Sequence, residues 1–179
     1  WGFDLPQLAN RDHLRALEGL IKTHDAGACI IDPAYLALLS GDTQGRQASN
    51  VFDMGPLLRE FGDVGRETGC TMILVHHVKK STENAVPELE DLAFAGFAEW
   101  ARQWLLIGRR QPYEPGSGFH ELWLNVAGSA GHSATWAIDG RQGVPDEHFQ
   151  GRVWDVAVRS ASEAKVKAKA DQEEQRHAE

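Results

Sequence analysis

Ala28-Cys29-Ile30-Ile31-Asp32-Pro33 is the stretch on which the fold turns. Its apolar run, bounded by Gly27 and Pro33, reads as a strand buried on both faces of a parallel sheet. The run ends in a carboxylate, and in open α/β sheets ligands are met outside the carboxyl ends of the strands. An acid at that place can hold Mg²⁺ through a coordinated water beside phosphate oxygens. It can equally cap a loop or the next helix, so Asp32 has to be weighed with the rest of the chain.

On the amino side, Leu14, Leu17, Leu20 and Ile21 fall at helical spacing. Asn10 or Asp12 can cap the start, and Lys22 with Gly27 suits the end. On the carboxyl side, 35–39 is an apolar helical turn, and 40–49 holds no large apolar residue and reads as a loop. Val51, Met54, Leu57, Leu58, Phe61 and Val64 then make a second helical stripe, with Pro56 either in a first turn or kinking a longer helix. Residues 71–77, Thr-Met-Ile-Leu-Val-His-His, form a second apolar strand with polar residues at its end. Alternation of helix and strand at this spacing predicts crossovers in a parallel sheet, which puts Asp32 and the His76-His77 pair on one sheet edge.

Farther on, 78–91 reads as an exposed polar loop, 92–103 as helix-compatible and 104–107 as a third strand. The pattern then changes. Residues 120–126 and 133–139 alternate and are joined by Gly128-Ser129-Ala130-Gly131, which predicts an antiparallel hairpin, and 153–158 adds a further strand. Ser160-Ala161-Ser162-Glu163 has capping-box spacing before a charged helix. That helix lacks an apolar stripe, so 1–158 is expected to be one α/β domain and 159–179 a solvated connector.

A chain of 179 residues can bury about 70% of its unfolded surface, so no metal or disulfide staple is required. Cys29 and Cys70 have neither zinc-site spacing nor secreted-scaffold density, no segment approaches a membrane span, and a cytoplasmic setting is expected. The chain begins at Trp1, which suggests a piece of a longer protein. A net charge of −8 argues against a surface built for nonspecific nucleic-acid binding, but not against local contacts. Lys79-Lys80 and Arg109-Arg110 are the adjacent basic pairs, and each alone reads as solvated loop charge.

Taken together, the Asp32 strand, the long helix, Gly69-Cys-Thr-Met-Ile-Leu-Val-His-His-Val-Lys-Lys80 and Leu92-Ala-Phe-Ala-Gly-Phe-Ala-Glu-Trp-Ala-Arg-Gln-Trp104 resemble the RecA-like ATPase core. Over roughly 10–140 the chain is most similar to RepA-type hexameric replicative helicases and the helicase parts of primase-helicases. The resemblance implies a mostly parallel sheet flanked by helices, ATP and Mg²⁺ as cofactors, single-stranded DNA as partner and a homo-oligomeric ring. It implies that Asp32 is the Walker B acid and that His77 is the sensor of the γ-phosphate, with His76 beside it. Lys79 and Lys80 would begin the loop facing DNA in the ring's channel. Arg102 matches the arginine that reaches the neighbouring subunit's nucleotide, where a fixed positive charge stabilises phosphoryl transfer.

Two family parts are missing from the sequence. No Gly-x-x-x-x-Gly-Lys-Ser/Thr is present, and 128–133 lacks the lysine and follows an antiparallel strand, so it is no substitute. No residue matches the family's catalytic glutamate. Residues 91–97 are also bulkier than the Gly-Ser-rich run of many relatives. The leading expectation is the sensor-and-interface part of a helicase-like motor, with little ATPase activity of its own. The alternatives are a non-catalytic RecA-like assembly or DNA-binding module, and a metal-dependent hydrolase using Asp32 with His76 or His77.

Overall fold

The computed structural model describes residues 5–39, 50–78, 84–93, 96–166, 170 and 176, and the loop expected over 40–49 lies outside them. The chain divides into two compact units, one of 1–78 with 92–101 and one of 79–91 with 102–179.

The first unit is built on two long helices, two short ones and a parallel strand pair. Helix α1, Arg11–His24, starts at Asn10, whose side chain accepts from the backbone N–H groups of Asp12 and His13. It ends at Asp25, which takes the left-handed conformation (φ 49°) expected of Gly27. Leu14 and Ile21 are buried and Leu17 partly so, but Leu20 is exposed. At about 100° per residue, Leu20 stands well off the line of the other three. Strand β1, Ala28–Ile31, leads to the cis Asp32–Pro33 peptide and the short helix α2, Ala34–Leu39. Helix α3, Val51–Thr68, is capped by Asn50 and carries Pro56 inside it. It delivers Met54, Leu57, Leu58, Phe61 and Val64 to a core shared with Leu8, Leu14, Ile21, Ile31 and Leu38.

Phe61 is fully buried, its ring centroid 6.0 Å from that of Trp100. Phe61→Ala removes the ring and leaves a cavity, so it should cost about 3 kcal/mol of stability, read as a lower denaturant midpoint with an unchanged slope.

Strand β2, Thr71–Leu74, pairs with β1 in parallel, Ala28 opposite Thr71 and Ile31 opposite Leu74. The parallel pairing of the two apolar runs agrees with the sequence reading, but the burial does not. Ile31 is buried, whereas Ile30 is 63% exposed and Ile73 40%. With two strands in this sheet, the helices cover one side only, and the residues read as doubly buried alternate between core and surface.

The expected helix over 92–103 shrinks to α4, Phe97–Trp100, preceded by a 3₁₀ turn at Leu89–Asp91. Gly96 (φ 89°) starts α4, and Ala101 is already extended. The strand read at 104–107 becomes β3, Gln103–Arg109, and belongs to a different sheet from β1 and β2. The expectation of one mostly parallel sheet is therefore corrected. β3 runs into β4, Phe119–Gly128, through residues 110–118, and a connection that short joins antiparallel neighbours, because a parallel return needs a dozen or more residues.

The second unit is this four-stranded antiparallel sheet in the order β3-β4-β5-β6, with β5 at Ala134–Gln142 and β6 at Trp154–Ser160. The expected hairpin is its β4–β5 centre, with β4 longer at both ends than the sequence suggested and β5 running on past Asp139. One side packs Trp123 and Ala137 against Val86, Ala161 and Ala164. Trp123 Nε1 donates to the carbonyl of Asn84 at 3.3 Å, and Asn125 Nδ2 to that of Pro87 at 2.9 Å. The capping box is made as read: Ser160 N donates to Glu163 Oε2 at 2.9 Å and Glu163 N to Ser160 Oγ at 3.3 Å. Those bonds from Ser160 hold the Glu163 carboxyl below its ordinary range.

Arg110 is a further correction. Rather than solvated loop charge, it lies over Trp123 and pairs with Glu121 (2.9 Å) and Asp139, while Arg159 also pairs with Asp139. The carboxylates on the neighbouring strands draw it out of solvent. Arg109 ends β3 with its guanidinium over Tyr113.

Candidate functional site

Parallel pairing brings the carboxyl ends of β1 and β2 to one edge, so Asp32 and the two histidines share it. The edge is fastened by backbone bonds: Val75 N donates to Ile31 O at 3.0 Å, and Ala34 N to Val75 O at 2.8 Å. The chain therefore turns into α2 directly beneath the end of β2. Asp32 is exposed, and among the described residues no hydrogen bond or ion pair occupies its carboxylate.

The two histidines part company, as neighbours past a strand must. His76 turns toward the core. Its Nε2 lies 2.7 Å from the carbonyl oxygen of Ala93, and its ring stacks on Phe97 at 4.4 Å between centroids and 6° between planes. His77 is exposed, with its ring centroid 5.9 Å from that of Tyr35, and its carbonyl accepts from Ala93 N at 3.3 Å. The sequence reading took Tyr35 only as the start of the apolar turn 35–39, although its place just past Pro33 was an available sign. Thus Asp32 and His77 are the exposed polar groups at the end of the strand pair, and His76 is a packed residue behind them.

Burial lowers the His76 pKa below its ordinary value, with His77 acting in the same direction and the bond to Ala93 opposing. Because the folded pKa lies below the unfolded one, the unfolded chain binds the extra proton first as pH falls. The stability contributed by neutral His76 is therefore complete above about 6.5 and lost progressively below it. Thermal unfolding at pH 7.5 and 5.5 should show a larger loss of stability for the wild type than for His76→Gln. Equal losses would mean that the imidazole stays neutral for no energetic reason of its own.

Arg102 does not lie on a helix. It sits at a bend between α4 and β3, in the second unit, and is exposed. Its carbonyl accepts from Ser129 N at 2.9 Å and from Ser129 Oγ at 3.4 Å. At Gly128 a Cβ would stand 2.7 Å from that same carbonyl oxygen, so the hairpin closes on Arg102 only with glycine there. Lys79 and Lys80 lie outside the described residues.

Among the described residues no three His, Cys, Asp or Glu side chains converge as metal ligands. A Mg²⁺ bound mainly by phosphate oxygens and waters needs only one carboxylate, and exposed Asp32 suits that use. Among the described residues no helix is long and apolar enough to cross a membrane.

Residues 3–83 match the family model of an AAA domain, within the RecA-like P-loop ATPases. The match takes in α1 to β2 with Asp32, His76, His77, Lys79 and Lys80, and it stops before Arg102. Proteins of that family are nucleotide-binding ATPases. A comparison with curated proteins found no match.

Proposed function

We propose that these residues are part of an ATP-dependent motor on single-stranded DNA, of the replicative-helicase kind, working as a homo-oligomeric ring in the cytoplasm. In this reading Asp32 is the Walker B acid that holds Mg²⁺ on the nucleotide's phosphates through water. His77 faces the γ-phosphate, Lys79 and Lys80 lead into the DNA-facing loop, and Arg102 serves the nucleotide of the adjacent subunit. His76 supports His77 from the packed side. Residues 1–158 are taken as one partial ATPase domain and 159–179 as its charged connector.

The observation that carries the reading is the half-covered parallel pair within the AAA match. Parallel strands are ordinarily buried on both faces, yet here Ile30, Ile73 and Val75 are exposed beside Asp32 and His77. The chain also lacks a Gly-x-x-x-x-Gly-Lys-Ser/Thr loop. Both fit a site whose phosphate-binding strand and helix are supplied by sequence outside these residues. The decisive experiment is ATP hydrolysis by the full-length protein, with and without single-stranded DNA. DNA-stimulated turnover supports the motor. No turnover and no nucleotide binding leaves the second reading, a non-catalytic RecA-like assembly or DNA-binding module, which the missing phosphate loop favours.

A further inference from the structure

The four-stranded sheet has two unlike sides. The carboxylates carried by its strands, Glu121, Asp139 and Asp155, all fall on the side of Trp123. The opposite side has no strand position with Asp or Glu, although the chain is net −8. Instead it presents Leu105, Ile107, Trp136, Val156 and Val158, all exposed. Where this side meets the β4–β5 turn there is an open cavity of about 390 Å³. Val126, Ala134 and Trp136 are its strand wall, and Gly131, His132 and Ser133 its rim.

We propose that this cavity binds a nucleobase stacked on the Trp136 indole. Trp136 is 39% exposed and lines the cavity, so part of it is open to a ligand. Base-on-aromatic stacking suits a shallow apolar wall, because every base has a π-face. The imidazole of His132 and the hydroxyl of Ser133 supply rim donors and acceptors for the base edge. With no strand carboxylate on this side, the strands themselves set no negative charge against a phosphate attached to the base. The volume lies in the range of small-ligand sites, about 300–1,000 Å³.

The base can belong to a free nucleotide or to a single strand, and the far end of the same side distinguishes them. There Arg109 lies over Tyr113 (5.2 Å), Tyr113 stacks on His120 (4.9 Å), and His120 meets Trp154 at 5.6 Å. Trp136 pairs with Ser160, six residues along β6 from Trp154, which is about 20 Å. A short single strand crosses that distance and a mononucleotide does not. The inference requires no phosphate-binding loop and stands apart from the ATPase reading.

The test titrates the 179-residue chain with adenosine, AMP and an oligothymidylate, following tryptophan emission and the indole N–H resonances. Saturable binding is expected, with adenosine and AMP alike and the Trp136 indole resonance shifted. Trp136→Leu should weaken it about tenfold or more, and Trp136→Phe only a few-fold. If a single strand is the source, Trp154→Leu weakens the oligonucleotide but not AMP; if a nucleotide is the source, it changes neither. No saturable binding by the wild type, shifts confined to other indoles, or unchanged affinity in a folded Trp136→Leu protein would each overturn the proposal. Should Trp136→Leu fail to fold, the wild-type indole resonances decide the matter alone.

Discussion

Asp32→Ala in the full-length protein should lower ATP turnover about 10³-fold while leaving the fold intact. The magnitude follows from the role: a metal ion placed on the phosphates supplies several kcal/mol of charge stabilisation, and each 1.4 kcal/mol is tenfold in rate. The fold should survive because the carboxylate is exposed and, among the described residues, holds no hydrogen bond or ion pair. Substitutions at such places usually change stability by less than about 0.5 kcal/mol. Asp32→Asn should lose nearly as much turnover as Asp32→Ala, because the amide keeps the shape and loses the charge. Turnover within a few-fold of wild type for both would remove Asp32 from the chemistry. Brisk Mg-ATP turnover by the 179 residues alone, abolished by Asp32→Ala, would show instead that no outside phosphate-binding segment is needed.

Arg102→Ala should cut turnover of the assembled protein by about 10³-fold or more, the scale of an arginine acting on a transferring phosphoryl group from outside the nucleotide's own site. Nucleotide affinity should change little, because such a residue acts on the charge that develops during transfer and not on the bound ground state. Mixing Arg102→Ala with Asp32→Ala subunits separates the two roles further. If Arg102 serves its neighbour, an interface pairing an intact Asp32 with an intact Arg102 re-forms in the mixture and part of the activity returns. Loss of binding in parallel with turnover would place Arg102 in its own subunit's site or make it structural.

How legible these features were in the sequence depended on whether the signal was local. Caps were legible because they need only a few neighbouring residues. Asn10 before α1 and Ser160 with Glu163 are made as spacing suggested, and Asp25 in place of Gly27 is a small exception. β1 and β2 were legible as apolar runs between turn residues, and β4 and β5 as alternating ones. Burial was not legible, because it depends on what covers a strand. Ala-Cys-Ile-Ile reads alike whether one face or both are packed, and Ile30 is exposed only because this unit covers one. The sheet to which 104–107 belongs is likewise a matter of partners, settled by pairing with β4 and not by its own apolar pattern. At the candidate site, the split of His76 from His77 follows from alternation, but which one packs depends on Ala93 and Phe97, seventeen and more residues away. Arg110 misled for a related reason, since its partners Glu121 and Asp139 come from strands that the sequence does not place beside it.

The clasp between Ser129 and the carbonyl of Arg102 bears on entropy. Ordering one residue of free backbone costs about 1–2 kcal/mol, and an arginine on an untethered loop would lose that freedom, with its neighbours', each time it engaged a phosphate. At position 102 the main chain is already held by the hairpin turn, so in the proposed role engagement would restrict mainly the side-chain rotamers. If Arg102 has the role proposed above, a longer, slacker turn inserted after Gly128 would add that loss to each engagement, even with the guanidinium and all its contacts unchanged.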